Sequence, residues 1–133
     1  MATIRKEISL GNTPDRVWDV VRDTGALHTR FCPGFVTDTV LENGGASRMV
    51  SFGNGMKARE WIVTLDEAAR RLAYSVERNE RLIHHNASFQ VIPEASGCRL
   101  VWIADLLPNE MAGAITGMME QGMIAAKAAL EKA

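Results

Sequence analysis

The feature that most constrains the fold is a change of hydrophobic period along the chain. After one strand-like segment and two short helical segments, apolar and polar residues alternate with a period of two through one segment after another. From Pro108 to about Lys132 the period is instead that of an amphipathic helix. This order predicts an antiparallel sheet built from neighbouring strands, with one long helix laid across it.

The strands can be read from their alternation and from the turns between them. In the first, TIRKEISL, the apolar residues Ile4, Ile8 and Leu10 share one parity. The sequence GNG at 53–55 is a strong hairpin signal, because glycine and asparagine tolerate positive φ. Six later strands are expected within FVTDTVLEN, ASRMVSF, MKAREWIVTLD, LAYSVER, IHHNASFQVIP and GCRLVWIADL. We therefore predict seven antiparallel strands.

The helices have equally clear signals. Thr13 can cap a helix whose first residue is Pro14, and a second short helix is expected where Leu27 and Phe31 lie four residues apart. On the long C-terminal helix, the predicted buried face comprises Met111, Ile115, Met118, Gly122, Ala126 and Ala129, flanked by Met119, Met123 and Leu130.

Size and composition narrow the class of protein. With 133 residues we expect one domain, 1–133, and 47% apolar residues suffice for a core. A net charge of −1 gives no basic excess for nucleic acid, and no apolar run approaches a membrane span. The two cysteines, Cys32 and Cys98, and the lack of a signal-like N-terminus predict a cytoplasmic protein without disulfides.

The adjacent histidines of LIHHNASFQV (82–91) are the first candidates for chemistry. Neighbouring residues on a strand point to opposite faces, so His84 and His85 cannot ligate one metal from a regular strand. His85 shares its parity with apolar residues and should face inward, where it can bind a ligand, transfer a proton or form a local hydrogen bond. The only other histidine is His28, and we predict neither a metal nor another cofactor.

The segment KAREW (57–61) leaves two orientations open. If Trp61 faces inward, so does Arg59; if Ala58 and Ile62 face inward, Glu60 does. A buried charge on this strand needs a partner, for which Arg48 across the hairpin and Asp105 on the last strand are the candidates. A plain cross-strand ion pair is the simplest role for such residues.

Other inward residues suit either a cavity or a packed core. Tyr74 should point inward, whereas Trp102 can line a cavity or cover the outer face of the sheet. Methionines on the long helix suit a pocket for varied apolar ligands or simple core filling, and Gly113 and Gly117 thin the helix beside them. Nucleophile elbows, P-loops, dinucleotide fingerprints and zinc-binding motifs do not occur in the sequence.

The element order with these residues resembles the START-like helix-grip superfamily (Bet v 1-like, SRPBCC), and within it the polyketide cyclase/dehydrase-like group. The resemblance covers essentially the whole chain and departs at Phe31, where the family often has tryptophan. It rests on ISLGNTPDRVWDVVRD, FCPGF, GGASRMVSFGNGMKAREWIVTLDEAARRLAYSV, GCRLVWIADL and GMIAAKAALEK. It implies an α+β helix-grip fold with a curved seven-stranded sheet, two short helices between strands one and two, and a long C-terminal helix.

The main functional hypothesis is the binding of an apolar or amphipathic small molecule between sheet and helix, in a cavity of about 300–1,000 Å³. The predicted ligand-binding residues are Arg59, Tyr74, His85, Phe89, Trp102, Met111, Ile115, Met118 and Met119. The resemblance also implies a cyclase or dehydrase, with His85 as general base and Arg59 or Tyr74 at the oxyanion.

A third hypothesis is a protein-interaction module that forms a homodimer through the Ala-rich parts of the long helix. Its cavity would be closed by Trp61, Trp102, Phe52 and Phe89.

Overall fold

The computed structural model describes residues 1–132, which form seven strands and two α-helices. The strands are β1 (Ala2–Leu10), β2 (Val36–Glu42), β3 (Ser47–Phe52), β4 (Lys57–Asp66), β5 (Arg71–Val76), β6 (His84–Glu94) and β7 (Gly97–Leu107). The helices are α1 (Pro14–Val21) and α2 (Ala112–Lys132), with a π-helical turn at Leu27–Phe31 and 3₁₀ turns at Asn43–Gly45 and Asn109–Met111.

The seven strands form one antiparallel sheet in the order β1-β7-β6-β5-β4-β3-β2. Every neighbour except the β1–β7 pair is also a neighbour in sequence, so hairpins make most of the sheet. The core lies between the inner face of the sheet and the helices. The predicted helix-grip architecture is confirmed, including the short helices between β1 and β2.

Helix α1 and the π-helical turn close one end of the core. Thr13 caps α1 as predicted, because its hydroxyl accepts a hydrogen bond from the Arg16 N–H at 3.3 Å. Trp18 is buried and donates through Nε1 to Glu67 Oε1 at 2.8 Å. Leu27 and Phe31 are both buried under the sheet, although the turn between them is π-helical.

The buried face of helix α2 overlaps the predicted one and is rotated toward its predicted flank. Gly122 and Ala126 are buried as predicted, and the other buried residues come from the flank: Met119, Met123 and Leu130. The 3₁₀ turn at Asn109–Met111 places Met111 outside the regular helix, so it does not continue the predicted face. Ile115 and Met118 remain half-buried, because a cavity separates this part of the helix from the sheet.

Candidate functional site

A cavity of about 120 Å³ lies between the inner face of the sheet and α2. Most of its lining is apolar, and the charged and polar side chains in it come from β3, β4, β5, β6 and, at Asn79, the segment between β5 and β6. The lining residues used below are Cys32, Phe35, Arg48, Phe52, Lys57, Glu60, Tyr74, His85, Phe89, Trp102, Ile115, Met118 and Met119.

The cavity is smaller than the predicted 300–1,000 Å³ because aromatic rings fill part of the space. Phe35 and Phe52 meet edge to face, with ring centroids 5.4 Å apart. Phe89 stacks on Trp102 at 4.6 Å and lies 6.0 Å from Tyr74, which makes a continuous aromatic wall along β5, β6 and β7. The cavity therefore offers flat apolar surfaces with little free volume between them.

A buried ion pair between Arg48 and Glu60 forms the charged part of the lining. Arg48 Nε and Nη2 lie 3.0 and 2.9 Å from Glu60 Oε1, and Arg48 Nη1 donates to the carbonyl oxygen of Thr24 at 3.2 Å. The side chains are only 2% and 8% exposed. The Arg48 guanidinium also lies 5.6 Å from the centre of the Tyr74 ring, so it links the ion pair to the aromatic wall.

Pairing with β3 sets the orientation of the KAREW segment, and a β-bulge farther along β4 explains why the sequence fitted two orientations. Glu60 pairs with Arg48 on β3 and with Val76 on β5, and it faces inward. The register of β4 shifts between Ile62 and Thr64, after which Leu65 lies opposite the buried Leu72. Inward parity thus changes within the strand, which is why both orientations fitted the sequence.

Arg59 consequently lies on the outer face of the sheet and does not line the cavity. Its guanidinium donates to Glu42 at 2.8 Å and to Glu77 at 2.8 Å, both half-exposed. Trp61 is also on the outer face and 38% exposed, so it has no part in narrowing the cavity.

The environment of Glu60 disfavours its charge. Burial raises the pKa of its carboxyl more than the neighbouring Arg48 lowers it. Both contacts from Arg48 go to Oε1, and Oε2 makes no hydrogen bond with the described residues 1–132. Glu60 therefore has an oxygen available to a molecule in the cavity.

His85 lies on the same side of the sheet, as strand parity predicts, and His84 is exposed. Its ring is 6.3 Å from that of Tyr74, centroid to centroid. Burial lowers the pKa of His85 to about 4, so its imidazole is neutral at pH 7. Its Nδ1 is buried and has no hydrogen-bond partner in residues 1–132, which leaves a second polar atom unsatisfied.

Tyr74 connects these groups. Its oxygen accepts a hydrogen bond from Trp102 Nε1 at 3.1 Å. Burial raises the pKa of its hydroxyl far above the ordinary value, so the group keeps its proton. That hydrogen makes no hydrogen bond with the described residues, and Tyr74 can donate it to a ligand.

Seven of the nine predicted ligand-binding residues line the cavity: Tyr74, His85, Phe89, Trp102, Ile115, Met118 and Met119. Arg59 and Met111 do not, and Arg48 and Glu60 were not among those predicted. The sequence does contain a signal for Arg48 and Glu60: they lie on strands joined by the GNG turn, and the residues two positions away on either side of each are apolar (Ala46, Val50, Ala58 and Ile62). The β4 bulge concealed which charge on that strand faces inward.

The structure contains no arrangement for a resident metal in the part it describes. Across residues 1–132, His, Cys, Asp and Glu side chains do not gather in groups of three or more that could hold an ion. In the same residues, no helix combines the length and apolar composition needed to cross a bilayer.

Comparisons with known proteins agree with this architecture. A comparison with curated proteins returned no match. A protein from Thermobifida fusca is 27% identical, with a TM-score of 0.78 over 98% of this chain and 91% of the other. A START superfamily protein from Mycobacterium smegmatis is 12% identical, with a TM-score of 0.77 over 98% and 97% of the two chains.

A third similar structure is the di-domain ARO/CYC protein BexL from the BE-7585A biosynthetic pathway. It is 16% identical with a TM-score of 0.84, and this chain spans 98% of itself and 47% of BexL. The family model described as "Polyketide cyclase / dehydrase and lipid transport" matches residues 1–131. The chain therefore belongs to the polyketide cyclase/dehydrase and lipid transport family.

Proposed function

We propose that this protein binds an apolar or amphipathic small molecule in the cavity between the sheet and α2, in the cytoplasm. One observation carries the proposal: the buried Nδ1 of His85 has no hydrogen-bond partner in residues 1–132, and His85 lines an otherwise apolar cavity together with Tyr74 and Glu60. Buried polar atoms ordinarily find partners. A ligand with an apolar body and a polar end supplies them.

The aromatic wall and α2 would provide most of the affinity. A small molecule that buries about 200 Å² of apolar surface gains about 5 kcal/mol, before the cost of association is subtracted. The polar atoms would then fix the orientation of the ligand. This division of roles is common in small-molecule sites.

Native mass spectrometry of the freshly purified protein, followed by titration with a fluorescent apolar probe, tests the proposal. Ile115→Trp should block the cavity from α2 and abolish probe binding. Ile124→Trp on the same helix is the matched control, because Ile124 is 72% exposed and does not line the cavity. A folded wild-type protein that carries no small molecule and binds no probe would contradict the proposal, as would equal binding by both variants.

Catalysis of cyclisation or dehydration is a second candidate, favoured by the raised pKa of Glu60 beside a tyrosine that keeps its proton. Glu60 would take an α-proton from a polyketone, and the Tyr74 hydroxyl would stabilise the resulting enolate oxygen. His85 is the weaker base, because its pKa is about 4.

Turnover of a polyketone substrate by wild type, Glu60→Gln and His85→Gln tests this activity. Loss of water or ring formation should disappear in Glu60→Gln and persist in His85→Gln. Full turnover by Glu60→Gln would remove Glu60 from the mechanism.

A further inference from the structure

We propose that the cavity selects an uncharged, single-ring aromatic molecule with a hydroxyl group, that is, a small phenol. The inference rests on the proposed function, because it concerns the ligand of the same cavity. It draws on three properties of the lining: its volume, its balance of charge and its unused hydrogen-bonding atoms.

The volume suits a ligand of about one ring. An apolar protein cavity of about 150 Å³ accommodates benzene, and the cavity here is about 120 Å³. The walls favour a flat molecule, since Phe89 and Trp102 stack at 4.6 Å and continue into Tyr74 at 6.0 Å. Aromatic rings pack well against such surfaces in offset or edge-to-face geometry.

The two buried charges of the lining compensate each other. Arg48 and Glu60 are opposite charges in contact, and both are buried. His85 and Tyr74 are uncharged at neutral pH, the Cys32 thiol has a pKa raised by burial to about 12, and Lys57 is exposed to solvent. A carboxylate or ammonium ligand would therefore enter an apolar space without a free counter-charge, which is strongly unfavourable.

The unused polar atoms call for a group that both donates and accepts. Tyr74 has a free O–H, whereas Glu60 Oε2 and His85 Nδ1 have no partners in residues 1–132. A hydroxyl group can accept from Tyr74 and donate to Glu60 or His85. Because it can also accept, it suits either tautomer of His85. A hydrocarbon of the same shape would leave these atoms unsatisfied.

The test compares ligands that differ only at one position of the ring: 4-methylphenol, toluene, 4-methylbenzoate and 4-methylbenzylamine. Dissociation constants are measured on the full chain by ¹H–¹⁵N NMR titration at pH 7. We expect 4-methylphenol to bind at least tenfold more tightly than toluene, and the two ions to bind at least tenfold more weakly than toluene. Tyr74→Phe, which keeps the ring, should reduce the phenol-to-toluene preference several-fold, whereas Ile124→Ala should leave it unchanged.

Equal affinities for 4-methylphenol and toluene, or tighter binding of either ion, would overturn the inference. So would a phenol preference that Tyr74→Phe and Glu60→Gln both leave intact. If none of the single rings binds but the fluorescent apolar probe does, the inference fails and the proposed function stands. If neither binds, both fail.

Discussion

Breaking the buried pair of Arg48 and Glu60 should destabilise the fold in two distinguishable ways. At about 4 Å, opposite charges attract by about 4 kcal/mol when the effective dielectric constant is about 20. Removing one partner from a buried pair typically costs about 3–5 kcal/mol, because the other charge is left without compensation. Glu60→Gln leaves a guanidinium that cannot lose its proton, so we expect this variant to gain no stability from position 60 between pH 8 and pH 5.

Arg48→Met leaves a carboxyl that can take up a proton instead. Burial already raises the pKa of Glu60, and without Arg48 that pKa should rise further. The variant should therefore be about 3–5 kcal/mol less stable than wild type at pH 8 and recover part of that loss at pH 5. The double variant Arg48→Met/Glu60→Leu should match or exceed wild type, since an apolar replacement removes the cost of desolvating both charges.

Urea denaturation followed by circular dichroism at pH 5 and pH 8 measures these differences. Arg59→Met is the matched control, because Arg59 makes its ion pairs on the outer face where both partners are half-exposed. We expect it to cost at most about 1 kcal/mol. A loss for Arg48→Met no greater than that for Arg59→Met, or a loss that does not change with pH, would refute the reasoning.

Four further predictions concern other parts of the chain. Burial lowers the pKa of His85 from 6.5 to about 4, so the contribution of the neutral imidazole to stability is complete above pH 6.5 and is lost as the pH falls toward 4, by up to about 3 kcal/mol. His85→Gln should therefore flatten the dependence of the unfolding free energy on pH. An unchanged slope would contradict this. A Cβ on Gly122 would lie 2.9 Å from the Trp102 ring, whereas one on Gly113 would touch nothing. Thermal melts should therefore show Gly122→Ala destabilised by about 1–3 kcal/mol and Gly113→Ala stabilised by about 0.5–1 kcal/mol. The reverse order of stabilities would argue against this packing. Cys32 should resist alkylation at pH 8 in the folded protein, since it is buried and its pKa is about 12. Alkylation of Cys32 in the folded protein as fast as in the urea-unfolded protein would contradict this. The homodimer remains a prediction from the sequence, which sedimentation would contradict by finding a monomer at every concentration.

Local patterns in the sequence were sufficient for much of the fold. Alternation predicted the strands, the GNG turn predicted the β3–β4 hairpin, and parity alone gave the orientation of His85. These signals depend on neighbours within a few residues, so no knowledge of the tertiary structure was needed. The same holds for the Thr13 cap of α1.

Features that depend on small departures from ideal geometry were not predictable. The register of β3 and β4 pairs Glu60 with Arg48 and leaves Arg59 outside, and the bulge between Ile62 and Thr64 hides this in the sequence because it reverses the inward parity farther along β4. Which face of α2 packs on the sheet depends on how the whole helix is rotated against its neighbours, so Met119 is buried whereas Met118 is half-buried beside the cavity. The cavity volume depends on how the rings of Phe35, Phe52 and other aromatic residues pack, and the hydrophobic periodicity of the sequence does not predict that packing.

The central claim is that a small molecule occupies the space between the sheet and α2. Methyl-labelled NMR during titration with 4-methylphenol or with any co-purified ligand tests it most directly. The account predicts nuclear Overhauser effects from ligand protons to the methyl groups of Ile115, Met118 and Met119, which line the cavity, and none to the exposed Ile124. Contacts confined to Ile124 and other surface methyl groups would contradict the account.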